Sequence, residues 1–276
     1  MHKVAIDGSM SRIKENMARV KNKVIVMSNK GGVGKSSVAV SFAALLSGKG
    51  FRVGLLDIDI HGPSIAKMTG REGVNPVSDG KAIEPVPVRE NLVMLSMGSL
   101  IKEGATPVIW RGPMKLNVLK QFLADVNWGD LDYLIIDAPP GTGDEPLSIC
   151  QLLPGLAGGV VVTTGQDVAL LDSKKAVNFL KQLGVRVLGI VENMTDFPCP
   201  HCGGHVNLFK AGGGERAAAS LDVPFLGRIP FDPDMVEAGD KGLLFVETKK
   251  DSPAAKALAA AIEKATKGLE AGQGVL

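Results

Sequence analysis

Asn29-Lys30-Gly31-Gly32-Val33-Gly34-Lys35-Ser36 stands between an apolar run, VIVMS (24–28), and a segment, Ser36 to Ser47, with Val38, Phe42 and Leu45 at helical spacing. A glycine-rich turn between a strand and a helix is the context a phosphate-binding loop needs. The glycines let successive backbone N–H groups curl inward toward phosphate oxygens, and the helix that starts near Lys35 adds its positive end. Lys35 is placed to reach β- and γ-phosphates, and the Ser36 hydroxyl to ligand Mg²⁺. The nucleotide-binding set read here is Asn29, Lys30, Gly31, Gly32, Val33, Gly34, Lys35, Ser36 and Ser37. Asn29 occupies a position where the usual pattern has glycine. Asparagine tolerates positive φ better than other non-glycine residues, and on that ground the loop is expected to keep its shape.

Outward from the loop the chain alternates strand-like and helical runs. VGLLDID (53–59), NLVMLSM (91–97), YLIID (133–137), GGVVVTT (158–164), VRVLGIVEN (185–193) and VPFLGRI (223–229) read as strands. Helices are expected over 113–126, 144–153, 167–183, 213–221 and 252–267. About seven strands in this rhythm predict an α/β fold: one doubly wound, mostly parallel sheet with helices on both faces. Residues 1–22 read as a basic arm or short helix (from Ser11 to Val20). Residues 23–276 form the ATPase domain, with an irregular excursion over 70–90 and an insertion around 194–212.

Composition agrees. The 276 residues are 45% hydrophobic with only 4% aromatics and 34 glycines, as a Val/Ile/Leu/Ala core of a covered parallel sheet requires. A net charge of +2 is too small to suggest nucleic-acid binding. No run approaches the ~20 apolar residues of a membrane span. Three cysteines, two of them three residues apart, build no disulfide framework and fit a reducing cytoplasm.

A magnesium nucleotide site needs carboxylates. Asp137 ends a strand and runs into Ala-Pro-Pro-Gly, where Gly141 leaves room for a close approach to a γ-phosphate. Asp57 and Asp59, at i and i+2 near the end of a strand, are expected to share one face, with Asp57 in the metal shell and Asp59 orienting the attacking water. His61 and Gly62 follow as switch residues. A helix starting at Pro63 offers one of the two aspartates a capping role instead. Asn193, at the end of another strand, offers both a donor and an acceptor to an adenine edge.

Phe197-Pro198-Cys199-Pro200-His201-Cys202-Gly203-Gly204-His205 leaves three readings open. Two thiolates at this spacing suit a cluster shared with a second chain, zinc with help from His201 or His205, or a dithiol redox centre. Cys150 sits among Leu147 and Leu152 and reads as core.

Taken together, KGGVGKSS (30–37), LLDIDIHGPS (55–64), WRGPM (110–114), DYLIIDAPPGTGDEPLS (132–148), VENM (191–194), CPHCGG (199–204) and LGRIPFDP (226–233) resemble the Mrp/ApbC family of ATP-binding iron–sulfur carriers, relatives of the MinD and nitrogenase iron-protein ATPases. The resemblance implies a homodimer that binds ATP, Mg²⁺ and a [4Fe-4S] cluster and delivers the cluster to apo-proteins, with hydrolysis gating release. It implies that Cys199 and Cys202 of both subunits bridge the cluster. Lys30, directly before the Gly-Gly pair, resembles the lysine by which deviant Walker A ATPases reach the partner's nucleotide. Lys30, Lys35 and Asp59 are then the catalytic set. The rival class is a positioning ATPase of the MinD or partition type, acting on membrane or DNA.

Overall fold

The computed structural model describes residues 8–60, 62–100, 112–199, 201–206 and 208–273. In chain order the elements are α1 (Gly8–Ala18), β1 (Val20–Met27), α2 (Lys35–Gly48), β2 (Val53–Asp57), α3 (Ile65–Met68), β3 (Val77–Ser78), β4 (Ile83–Glu84), β5 (Val86–Arg89), β6 (Leu92–Ser96), α4 (Gly112–Ala124), β7 (Leu131–Asp137), α5 (Asp144–Leu152), β8 (Leu156–Thr164), α6 (Asp167–Gln182), β9 (Val187–Thr195), β10 (Phe197–Pro198), β11 (His205–Val206), α7 (Gly213–Leu221), β12 (Phe225–Pro230), α8 (Pro233–Asp240), α9 (Phe245–Thr248) and α10 (Pro253–Gln273).

Among the described residues the main sheet runs β12-β9-β8-β1-β7-β2-β6-β5. Its pairings are parallel except the edge, where β5 lies antiparallel to β6. The expected doubly wound sheet is therefore present, with one more strand than the seven read from sequence. Part of the excursion over 70–90 is not irregular: Val86–Arg89 closes the sheet edge. Pro85 and Pro87 obscure that strand in sequence, and an edge is where a strand tolerates proline.

Both faces of the sheet are covered, so its central strands carry near-continuous apolar runs. Along β1, Val24 and Val26 join the core under α2 and α10, while Ile25 and Met27 join the core under α1, α4 and α6. Tyr133 and Ile135 of β7 alternate with Leu134 and Ile136 in the same way. Period two on a doubly buried strand gives two cores rather than one wet face.

The amino-terminal segment is part of this construction. The helix starts at Gly8, three residues before the expected Ser11, and Ile13 and Met17 are fully buried on the sheet face shared with α4. The strand after it starts at Val20 rather than Val24, because Val20 to Asn22 pair with β7. The last helix extends to Gln273, six residues past the expected end, and buries Ala254, Leu258, Ala261, Ile262 and Leu269. No helix among the described residues is long and apolar enough to cross a membrane.

Strand order reverses at β1: the chain leaves it toward β2 on one side, with β7 inserted between, and β8 lies on the other. Ligands of doubly wound sheets bind beyond the strand C-termini at such a point. Residues 28–37 occupy it.

Candidate functional site

Between β1 and α2 the loop wraps around a cleft of about 290 Å³ lined by Lys30 to Ser37, Asp59, Gly62, Ser64, Met68 and Pro140. Gly32 and Gly34 take φ of +75° and +81°, which explains their glycines. Asn29 does not: it is absent from the non-glycine residues with positive φ. The expectation that asparagine stands there for its tolerance of that region is corrected. Its side chain has another task, donating from Nδ2 to Asp172 Oδ1 of α6 at 2.8 Å. Ser28 braces the same turn, its hydroxyl donating to the Lys30 carbonyl. Lys30 itself is exposed at the lip of the cleft.

Below the loop lie the acidic groups. Asp57 and Asp137 end neighbouring strands and face each other in register. Both are buried. Lys35 Nζ donates to Asp137 Oδ1 at 2.5 Å, and Ser36 Oγ donates to Asp137 Oδ2 at 2.6 Å. Asp57 accepts from the Asp59 amide at 3.0 Å, from the Ser96 hydroxyl at 2.9 Å and from the Ile65 amide at 3.4 Å. Burial, with the Asp137 charge next, pushes the Asp57 carboxyl up to about 7, against these hydrogen bonds and Lys35. Burial likewise raises Asp137, with the Lys35 ammonium opposing. Two buried carboxylates that share one buried lysine carry an excess of negative charge in a dry site.

Asp59 does not share a strand face with Asp57, because β2 ends at Asp57. The chain turns there, so that the Asp59 amide points back at the Asp57 carboxylate while its own side chain accepts from the Gly62 amide at 3.2 Å and lines the cleft. Asp57 takes the contact at the start of α3 that had been considered for either aspartate. His61 lies outside the described residues, as do Trp110 and Arg111 of the WRGPM motif. Gly141, with φ of +96°, donates its amide to the Ser28 carbonyl at 2.8 Å and so ties the loop after β7 to the base of the phosphate loop.

Asn193, read from sequence as a contact for an adenine edge, stands under the loop. It is buried, and its Nδ2 donates to the Val33 carbonyl at 3.0 Å. A Cβ on Gly34 would lie 2.2 Å from that nitrogen, so any larger residue there would have to displace the Asn193 amide as well as adopt a φ of +81°.

Four residues past Asn193, the chain enters a hairpin of β10 and β11 with the cysteines at its tip. The Cys199 amide donates to the Gly204 carbonyl and the Gly203 amide to the Cys199 carbonyl, both at 2.8 Å. Cys202 is exposed and Cys199 half-buried, and no disulfide joins them. The backbone amides of His201, then Cys202, and the Cys202 thiol hold the Cys199 thiol below its ordinary pKa. No helix follows Cys199, as a dithiol oxidase site wants. His205 points its Nδ1 at Asp196 Oδ2, 2.5 Å away. Among the described residues no group of three or more His, Cys, Asp or Glu side chains forms a metal cage. One chain thus presents a pair of thiols. Cys150 packs against the core, its thiol pushed up to about 11 by burial.

Sequence reading missed three contributors. Ser96 ends β6 beside the site, where strand-end position is a usable signal. Glu192 is fully buried and accepts from the Gly212 and Gly214 amides, both at 2.7 Å; a carboxylate inside an apolar strand was the available sign. Asp172 lies 143 positions from Asn29, and no local pattern marks it.

The family described as "ParA: NUBPL iron-transfer P-loop NTPase" matches residues 19–266. The iron-sulfur cluster carrier protein of Methanocaldococcus jannaschii is 49% identical over 236 residues, 86% of this chain and 81% of that protein. The cytosolic Fe-S cluster assembly factor CFD1 of Saccharomyces cerevisiae is 46% identical over 228 residues, 80% of this chain and 78% of that one. Among solved structures, the nucleotide-binding protein of Archaeoglobus fulgidus in complex with ADP superposes with a TM-score of 0.75 at 36% identity, covering 85% of this chain and 92% of that one. The cell division ATPase MinD of Pyrococcus furiosus shares the fold, with a TM-score of 0.65 at 24% identity over 89% of this chain and 98% of that one.

Proposed function

Because the chain belongs to the NUBPL iron-transfer P-loop NTPase family, we propose that it is a Mg-ATP-dependent carrier. It holds a [4Fe-4S] cluster between two copies of itself and passes it to apo-proteins. The observation that carries this reading is the pair of thiols at the tip of a hairpin that grows from the same strand end that buttresses the phosphate loop. Two thiolates per chain make half of a four-thiolate cluster site, and a two-fold axis through the tip supplies the other half. The names of the archaeal and yeast relatives support cluster carriage.

The nucleotide end is read from the same geometry. Backbone amides of residues 31–36 and the start of α2 face the phosphates, and Lys35 adds its charge from below. The donor set of Ser36, Asp57 and Asp137 is all oxygen and net acidic, which suits a hard divalent ion. Mg²⁺ bound there would supply charge neutralisation at the phosphates. Asp59, on the cleft wall, is positioned to orient water, and exposed Lys30 to meet a partner's nucleotide across the lip.

Anaerobic reconstitution with iron and sulfide tests the reading. The wild-type chain is expected to develop the broad visible absorption of a [4Fe-4S] cluster at about two irons per chain. Cys199→Ala and Cys202→Ala should lose that absorption while binding Mg-ATP with unchanged affinity. A Cys199→Ala protein that reconstitutes like its parent would show the ligand assignment to be wrong.

A further inference from the structure

Lys115 and Glu145 pair at the edge of the site without lining the cleft. Lys115 Nζ donates to Glu145 Oε1 at 2.6 Å, with 16% and 12% of the two side chains exposed. Two charges drawn this far from water regain little from their mutual attraction, so the pair adds little to stability. What it fixes is the junction of two helices. Lys115 is the fourth residue of α4, a helix anchored on the sheet by Leu119, Phe122 and Leu123 and packed against α1. Glu145 is the second residue of α5, where a carboxylate also suits the positive end of the helix.

Only residues 138–143 run between β7 and α5, and the two ends of this loop are held differently. The entry is fixed by main chain: Ala138 donates its amide to the Val26 carbonyl at 3.1 Å, and Gly141 donates to the Ser28 carbonyl at 2.8 Å. The exit, Thr142 to Asp144, is exposed. Immediately beyond it, Glu145 ties α5 to α4. The loop starts at Asp137, the carboxylate that takes Lys35 and Ser36. It therefore faces the end of the cleft where the outermost phosphate of a nucleotide would lie. Pro140 lines that cleft. Among the described residues nothing lies within 4 Å of where a Cβ on Gly141 would be, so the space beside it is open to a ligand.

We propose that Lys115 and Glu145 are positioning residues whose ion pair holds the exit of loop 138–143, so that the loop meets the third phosphate of ATP. The pair thereby sets the preference of the site for a triphosphate over a diphosphate. Neither side chain touches the nucleotide; both act through the loop. The inference rests on the nucleotide half of the proposed function, and a failed cluster reconstitution leaves it standing.

Calorimetry on the full chain tests this with two probes: Mg-ADP, and the magnesium complex of an ATP analogue with a β,γ-imido bridge. Lys115→Met and Glu145→Gln are each expected to lose about fivefold or more in affinity for the triphosphate analogue, the worth of one well-placed hydrogen bond, while binding Mg-ADP within about twofold of the parent. Lys115→Arg, which keeps a cation against Glu145, should keep the parent's selectivity. A pair that merely supports the fold would shift both affinities together. Glu145→Gln preserves the shape of the side chain and decides the matter if Lys115→Met does not fold. Unchanged selectivity in Glu145→Gln, or equal losses for the two probes, would overturn the proposal. A parent chain that binds neither probe would sink the nucleotide reading and this inference with it.

Discussion

Asp57 is the residue whose chemistry its surroundings change in a measurable way. Its carboxyl is raised from 3.8 to about 7 by burial and by Asp137. A raised carboxyl holds its proton more tightly in the folded state than in the unfolded one. Its contribution to stability is thus fully present below pH ~4 and is lost as pH rises through about 7. Asp57→Asn is expected to raise the stability of the ligand-free protein at pH 8 by on the order of 1 to 3 kcal/mol, to give little gain at pH 4, and to abolish magnesium-dependent nucleotide binding. Thermal unfolding at the two pH values checks this, and equal effects at both would refute it. Asn29 offers a second test at this scale. Each of Asn29→Gly and Asp172→Ala should cost about 1 kcal/mol, the worth of one hydrogen bond. The double variant should cost little more than either, since both remove the same interaction; additive losses in denaturant titrations would show that the two residues act separately.

At the scale of elements, the amino-terminal segment is where the structure decides between two readings. Its polar, basic character left an arm or a short helix open; the helix is present, with Ile13 and Met17 four apart on one face and both fully buried. Two apolar side chains suffice to dock a short helix when a sheet face lies ready for them, and only the fold supplies that face. Ile13→Ala is expected to destabilise the whole domain by about 2 to 5 kcal/mol, as a cavity in a packed core does. A change below ~0.5 kcal/mol in chemical denaturation would mean that α1 is not part of the cooperative unit. The elements that bear the site were more legible. Strand, turn and helix around residues 24–47 follow from local pattern, and so does the strand that ends in Asp137. Asp59 was misplaced because alternation was extended two residues past the true end of β2, and strand ends are set by pairing, which a single strand does not display.

For the whole molecule, the cluster-carrier reading requires two chains. The 28.9 kDa chain, loaded with iron and sulfide and given Mg-ATP, should show the mass of two chains in light scattering, and Cys199→Ala with Cys202→Ala should lose the cluster-dependent part of that association. A loaded particle with the mass of one chain would exclude a shared cluster. The rival reading as a membrane-positioning ATPase is separated from the carrier by liposome co-sedimentation; in the described residues the apolar side chains Ala254, Leu258, Ala261, Ile262 and Leu269 of α10 pack into the core beside β12 and α2.

The phosphate loop, the alternating α/β order, the acidic strand ends and the paired cysteines were readable from the chain itself, because each depends on residues within a few positions of one another, where spacing is geometry. What tertiary structure decided are the contacts that join distant segments: Asn29 with Asp172, Asp57 with Asp137, Asn193 with Val33, and Glu192 with Gly212 and Gly214. The reason is physical. A hydrogen bond or a shared desolvation penalty depends on a separation of a few ångströms in space, and for these groups that separation is set by the order of strands in the sheet rather than by their order in the chain.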